Sequence, residues 1–359
     1  MGEAGRSMVT GPQFRAGFTG FKFYRSFIMS EKIRWGVLGC AAIAKVRTIP
    51  GLLAASNAQL WAVASRGIEK AQAFKEEFGA EKAYGSYDEL LADPMVQAVY
   101  IPLPNSMHCE WVKKAADAGK HILCEKPMAL NVKEAEEMFD YCEEKGVFLM
   151  EAFAYRQAPL VKKVKEILDA GTIGKIKYLE AHLTDLLEDM GNIRMQQNLG
   201  GGALYDMACY DISVISYLIG AKPVKAKALA KMDPERGVDT AAVFCLEYAD
   251  GTLATAYASL DSYARGWYCV VGEKGRIEVP CNFNCRNEAR FSVKTGGHTD
   301  NVEVLDEVVT TYSVMCPQNY MLEIEQFGRV AAGEEAPLVS REETLCNAAV
   351  LDMVFADLQ

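Results

Sequence analysis

Short apolar runs bounded by glycine, proline and polar residues recur through the first part of the chain. "KIRWGVLGC" from Lys32, "QLWAVASR" from Gln59, "VQAVYIPLP" from Val96, "KHILCEKP" from Lys120 and "GVFLMEAF" from Gly146 each have the length of a buried strand. Between them the apolar positions change period. In "EKAQAFKEEF" Ala71, Phe74 and Phe78 recur at helical spacing and make one buried face. Ser86 with Glu89, and Asn131 with Glu134, have the spacing of capping pairs and mark two helix starts. This alternation predicts a mostly parallel sheet with helices on both faces, which takes ligands beyond the carboxyl ends of its strands.

After Gly171 the rhythm changes. "GKIKYLEAHL", "VKAKALAKM", "TAAVFCLEY", "TLATAYASL", "WYCVVG" and "RIEVP" read as strands without helices between them, and Ala249-Asp250-Gly251 and Glu273-Lys274-Gly275 mark tight turns. They predict a second domain of α+β class with a large, open, mostly antiparallel sheet. One helix interrupts it, from Leu204 to Leu218, behind Gly200, Gly201 and Gly202, and helical spacing returns from Tyr320. The expected division is a nucleotide-binding domain over 31–152 and a substrate-binding and oligomerisation domain over 153–335, with a last helix over 336–359 packing back on the first domain.

A length of 359 residues, half of them apolar and 24% charged, suits two globular domains, and no apolar run is long enough to span a bilayer. The net charge of -10 opposes a phosphate-tracking surface, so a nucleic-acid partner is not expected. The 11 cysteines are scattered; Cys281 and Cys285 form the one close pair, and with only four histidines no metal site is expected. Reduced thiols point to the cytoplasm. Residues 1–30 differ from the rest: Arg6, Arg15, Lys22 and Arg25 face only Glu3, a composition shared with transit peptides, but "SEKIRWG" after Met29 reads as an ordinary start. A disordered extension is expected there.

The first strand ends in Gly39-Cys40-Ala41-Ala42-Ile43-Ala44, a variant of the dinucleotide turn in which Gly39 permits the sharp bend and small side chains let backbone approach a pyrophosphate. Small residues also serve helix–strand packing, but the position directly after the first strand favours a cofactor. At the end of the second strand an NAD-binding chain typically carries an acid; here Ser65 and Arg66 stand instead, a pair suited to a 2′-phosphate. NADP(H) is therefore preferred, with NAD(H) as the alternative.

Lys126 follows the fourth of the apolar runs, and Pro127 holds it extended at the strand's carboxyl end, where the ligand crevice lies. A lysine there either works in the crevice or snorkels to the surface. Glu125 either orients it or is solvated. Asp206 and Tyr210 stand four apart at a helix start and are expected on one face within mutual reach. A phenol near an ammonium shifts toward phenolate and exchanges a proton with an alcohol; the alternative is a core tyrosine bonded to a helix-start aspartate.

Glu125-Lys126-Pro127, the glycine turn, "PNSMH" (Pro104 to His108), "EAFAYR" (Glu151 to Arg156), "GTIGKI" and "GGGALYDMACY", in this order, resemble the Gfo/Idh/MocA oxidoreductases from about Ile33 to the C-terminus. Within the family the likeness is to the glucose-fructose oxidoreductase, NADP-dependent xylose dehydrogenase and dimeric dihydrodiol dehydrogenase branch. The resemblance implies a Rossmann domain and hydride transfer between nicotinamide and a carbinol or carbonyl carbon of a sugar, polyol or trans-dihydrodiol. It implies homodimers or homotetramers packed through the open sheet. Lys126 would lie between nicotinamide and the substrate hydroxyl, Tyr210 would give or take the proton, and Asp206 would position the substrate or that tyrosine. The cofactor would be held by Gly39, Cys40, Ala41, Ala42, Ile43, Ser65, Arg66, Lys70, Pro102, Leu103, Asn105, His108, Glu125, Lys126 and Pro127, with Asn105 and His108 lining its channel. Arg156 and Arg194 would lie near the substrate. The same family includes NAD-dependent glycosidases and a non-catalytic NADP-binding sugar sensor; keeping both Lys126 and Tyr210 argues against the sensor. Gln157-Ala158, Gln196, Ala208 and Ala41 depart from the family pattern and leave the substrate open.

Overall fold

Six strands of the first domain form a parallel sheet: β1 (Ile33–Leu38), β2 (Ala58–Ala64), β3 (Lys82–Tyr84), β4 (Ala98–Ile101), β5 (His121–Glu125) and β6 (Leu149–Ala152), in the order β3-β2-β1-β4-β5-β6. The computed structural model describes residues 32–281, 283–300 and 303–358; the expected N-terminal extension lies outside the described residues. The strand order reverses between β1 and β4, so a crevice opens at the carboxyl ends of these two strands. Helices α1 (Ile49–Ala54), α2 (Ile68–Phe78), α3 (Tyr87–Ala92), α4 (His108–Asp117) and α5 (Val132–Glu144) connect the strands. Val37, Val99, Tyr100, Ile122 and Leu123 are fully or almost fully buried, as a sheet covered on both faces requires.

Both capping signals operate. Ser86 accepts from the Glu89 amide and Asn131 from the Glu134 amide, which satisfies a helix-start donor in each case. The return bonds are displaced by one residue: Glu89 accepts from Gly85 and Glu134 from Leu130.

The second domain holds α6 (Pro159–Asp169), β7 (Ile176–Leu186), α7 (Cys209–Ile219), β8 (Lys225–Asp233), β9 (Val238–Glu247), β10 (Leu253–Ser259), β11 (Asp261–Gly272), β12 (Gly275–Val279), β13 (Asn287–Asp300) and β14 (Glu303–Cys316). The sheet order is β14-β13-β12-β11-β7-β10-β9-β8. Neighbours are antiparallel except β7 and β10, which pair in parallel through Ala181 and Ala256. The sheet is therefore mixed and mostly antiparallel. A hairpin of β13 and β14 extends it beyond the strands read from the sequence.

Two helices close the chain over the domain boundary. On α8 (Asn319–Ala331), Phe327 packs its ring 4.7 Å from Trp35 of β1 and 5.1 Å from Phe148. Asp352, on α9 (Arg341–Asp357), accepts from the Val132 amide at the start of α5, while Asp357 of the same helix accepts from Ala228 of β8. This helix thus touches both sheets' flanking structure. Its start carries a reciprocal capping box between Ser340 and Glu343.

Candidate active site

Lys126 leaves the carboxyl end of β5 and points at the start of α7. Its Nζ donates to the Asp206 carbonyl oxygen at 2.7 Å and to Asp206 Oδ1 at 3.0 Å. The other carboxylate oxygen, Oδ2, accepts from Arg194 Nε at 2.6 Å. The Lys126 and Asp206 side chains are only 10% and 15% exposed, so one carboxylate holds two cations in a site largely closed to water. The Lys126–Pro127 peptide bond is cis.

Asp206 belongs to a π-helical turn, Leu204–Ala208, that leads into α7. Such turns widen a helix locally and occur frequently at functional sites. Tyr210 follows on α7. The two residues do meet Lys126 from one side, but they do so separately: Asp206 takes the ammonium, and the same Nζ lies over the Tyr210 ring, 4.7 Å from its centroid. Phe153, Tyr155 and Phe283 surround that ring with centroids 5.5, 5.7 and 5.5 Å away.

Burial is the largest single influence on Lys126 and opposes its charge, but the Asp206 carboxylate together with the Cys209 and Glu125 groups holds the ammonium above its ordinary pKa. Burial would likewise raise Asp206; Lys126 and Arg194 override it and keep the carboxyl well below the usual range. For Tyr210 the outcome contradicts the sequence expectation. Burial, reinforced by the nearby Glu125 charge, pushes the phenol well above its ordinary value, against the pull of a hydrogen bond with Asn284. The ammonium sits on the ring face and is committed to Asp206, and the net shift of the phenol is upward, away from phenolate.

Glu125 does not bond the Lys126 ammonium in this arrangement. Its carboxylate accepts a short hydrogen bond from Tyr100, whose oxygen accepts in turn from Thr48 at 3.0 Å, and it accepts from the Lys126 backbone amide at 3.2 Å. Burial raises its pKa. His108 also corrects its expected role: fully buried, it does not line an open channel. Its ring nitrogens lie 2.9 Å from the Leu103 carbonyl and 3.1 Å from that of Pro127, tying the turn after β4 to the turn after β5. Asn105 donates to the Gly200 carbonyl at 2.8 Å and so binds the first domain to the glycine segment. Arg156 is buried and is held by partners near the C-terminus and on α7. It pairs with Glu343 at 3.1 Å, donates to the Leu338 carbonyl and stacks 3.6 Å over Tyr217, which anchors α9. Gln157, a departure from the family pattern, is spent internally on Gln326.

Two contributors carried no signal that spacing could disclose. Glu151, raised to about 7 by burial, accepts from the Met128 amide and supports the segment after Pro127. Asn284 reaches Tyr210 from the segment between β12 and β13. "EAFAYR" includes Glu151, but only as part of a motif.

The dinucleotide turn fits a bound cofactor. Gly39 has φ +123°, and a Cβ there would lie 3.1 Å from Leu103 Cδ2, so glycine is needed for both the bend and the space. Beyond β2, Ser65 hydrogen-bonds the Cys40 thiol, and the charge of Lys70 acts on the same thiol. Arg66 acts similarly on Tyr87. Among the described residues neither Arg66 nor Lys70 has a carboxylate partner. Two unpaired cations and a hydroxyl at the ribose end form a donor set for a phosphate rather than for a bare 2′-hydroxyl. Pro102 and Leu103 follow β4 on the opposite side of the crevice, and Ala41, Ala42 and Ile43 open the helical segment after β1.

Comparison with known proteins agrees with this geometry. Residues 33–153 match the family described as "Oxidoreductase family, NAD-binding Rossmann fold", and residues 161–278 match its GFO/IDH/MocA C-terminal domain. A D-xylose 1-dehydrogenase (NADP(+)) of Haloferax volcanii is 36% identical over 89% of this chain and 96% of its own. A trans-1,2-dihydrobenzene-1,2-diol dehydrogenase of Mus musculus is 35% identical over 69% of this chain and 74% of its own. The crystal structure of a 3-ketoreductase from Actinomadura kijaniata, in complex with NADP and TDP-benzene, superposes with a TM-score of 0.84 at 31% identity, covering 92% of this chain and 98% of that one. With a parallel dinucleotide sheet, a Lys-Asp-Tyr cluster at its carboxyl edge and these matches along both domains, the chain belongs to the GFO/IDH/MocA family of NAD(P)-dependent oxidoreductases acting on CH–OH groups.

Proposed function

We propose that the protein transfers hydride between NADP(H) and one carbon of a free aldose, polyol or trans-dihydrodiol, with Lys126 and Tyr210 handling the oxygen on that carbon. The observation that carries this reading is the pair of contacts made by one ammonium: Lys126 Nζ bonds Asp206 and lies over the Tyr210 ring. The bound nicotinamide would supply or accept the hydride. Lys126, kept charged by Asp206, stabilises negative charge developing on the substrate oxygen. Tyr210, whose phenol stays protonated far above neutral pH, delivers its proton to that oxygen in reduction; oxidation is the reverse and proceeds from the phenolate fraction, which takes the hydroxyl proton. Arg194, still partly exposed, orients a substrate hydroxyl beside Asp206. The names of the xylose and dihydrodiol relatives support the substrate classes, and the unpaired Arg66 and Lys70 support NADP over NAD.

The same reading places the enzyme in the cytoplasm as a homodimer or homotetramer. Its 11 scattered cysteines support a reducing compartment. No helix among the described residues is long and apolar enough to cross a membrane. Across the outer face of the second sheet, Leu229, Val243, Tyr257, His182 and Trp267 stand in one cross-strand row. Leu229 is 74% exposed and Val243 43%, an apolar stripe suited to a second copy of the chain.

The function is tested by nicotinamide absorbance with NADP or NAD and a panel of aldoses, inositols and dihydrodiols. Reduction of NADP by one substrate class is expected. Tight NADPH binding without turnover on any of them would overturn the catalytic reading.

A further inference from the structure

The helix that carries Asp206 and Tyr210 begins on a carboxylate supplied by the sheet. We propose that this residue, Asp239, is a positioning residue for hydride transfer: it fixes the start of that helix and thereby sets Asp206, with the Lys126 it holds, and Tyr210 against the substrate. The proposal rests on the function given above.

Asp239 stands near the start of β9 and is 4% exposed. Its Oδ2 accepts from the Leu204 backbone amide at 2.7 Å, and the Ala203 amide also bonds the carboxylate. Those amides belong to the orphan donors of a helix start, which need an acceptor from outside the helix. The chain offers none locally, because Ala203 occupies the cap position and no side chain caps the turn. Gly202 confirms how closely the two segments meet. With φ +118°, it would place a Cβ 2.1 Å from Asp239 Oδ1, so the carboxylate fills the space a side chain would take. Two residues after Leu204 comes Asp206, and Tyr210 lies one turn further, so a shift at the cap moves both. A full negative charge here also complements the positive end of the helix.

Burial raises the Asp239 carboxyl to about 7, against the pull of the backbone amides of Leu204, Asp239 and Ala203. Tyr205, on the same turn, is the titratable side chain that senses its charge, and uncharged Met232 is its cross-strand neighbour on β8. The cap is fully charged above that pH and weakens as the pH falls through it. The rate constant kcat should therefore decline on the acid side.

The test compares the full-length protein with Asp239→Asn and Asp239→Ser by hydrogen–deuterium exchange over residues 203–210, corrected for the intrinsic pH dependence, and by kcat as a function of pH with NADP and the best substrate of the panel. Serine keeps one acceptor but cannot titrate, so it serves where the asparagine variant fails to fold. Exchange in that segment should rise about tenfold in the variants and, in the wild type, on acidification through pH 7. The kcat should fall about tenfold while the NADPH Kd stays within about twofold, and the acid limb of the wild-type profile should disappear. Glu151 also titrates near 7, so a limb that persists in the variants would assign it there and overturn the proposal. Unchanged exchange over 203–210 would overturn it as well. A wild-type enzyme inert on the whole panel would count against the proposed substrates, while the exchange measurement would still decide the cap.

Discussion

Replacing Asp206 with asparagine removes the charge that keeps Lys126 protonated and leaves the volume nearly unchanged. At the 3.0 Å separation of Nζ and Oδ1, Coulomb attraction at an effective dielectric of about 20 is at most ~5.5 kcal/mol, or about 4 pKa units on the lysine. Arg194 shares the carboxylate and solvent reaches part of the cluster, so the realised loss is smaller, at least about 1 unit. The direction is fixed. In the wild type, Asp206 is the largest of the charges that hold the Lys126 pKa up against burial; in the variant, burial and the Arg194 charge lower it against only the weaker pull of Cys209 and Glu125. Lys126 then loses its proton at a lower pH, and activity that needs the ammonium falls there. The assay is kcat against pH for both proteins, with thermal unfolding as a control for the buried pair. An alkaline limb displaced downward by at least about 1 unit in Asp206→Asn supports the reasoning. A limb at the wild-type pH with undiminished kcat would refute it.

Other consequences are as specific. Arg66→Ala should weaken NADP binding by about tenfold and leave NAD binding within about twofold, measured by nicotinamide fluorescence; equal losses for both would remove Arg66 from the 2′-phosphate site. His121 accepts from the Phe148 amide through Nδ1, and burial lowers its pKa to about 4. Its contribution to stability is thus present above pH 6.5 and lost as the pH falls toward 4, worth about 3 kcal/mol in full. In chemical denaturation, the stability gap between wild type and His121→Gln should shrink over that window; a constant gap would contradict it. Val243→Glu puts a charge in the exposed apolar row and should shift the mass seen by light scattering toward the monomer, with kcat per chain measured alongside. An unchanged mass would exclude this face as the contact.

The parallel sheet was legible because each of its main strands is a continuous apolar run buried on both faces, as in Val99 to Ile101. β3 is three residues long, with Lys82 exposed, and gives no such run. Along β13, Ala289, Phe291 and Val293 are buried in strict alternation with Glu288, Arg290, Ser292 and Lys294, the pattern of a half-buried strand and not of a continuous apolar run. The parallel pairing of β7 with β10 joins segments more than 70 residues apart, and no local pattern encodes it. The site divides in the same way. Lys126 was readable from its place between a strand and a proline. Its partner Asp206, 80 residues on, was readable only as half of a helical pair with Tyr210, so its bond to the Lys126 ammonium had no local sign. Arg156 is a motif arginine whose ion-pair partner, Glu343, is 187 residues away and leaves no local sign. Asp239 gave no sign, because a cap supplied from another strand leaves no spacing to detect.

The central claim is that hydride leaves one carbinol carbon for nicotinamide while Lys126 supports the oxygen on that carbon. The substrate that the panel selects, deuterated at its reacting carbon and incubated with NADP and either wild type or Lys126→Met, tests it by mass spectrometry of the reduced nucleotide. The account predicts deuterium in the NADPH formed by the wild type and a rate about 100- to 1,000-fold lower in the variant, with NADPH still bound. Unlabelled NADPH, or near wild-type turnover by Lys126→Met, would contradict it.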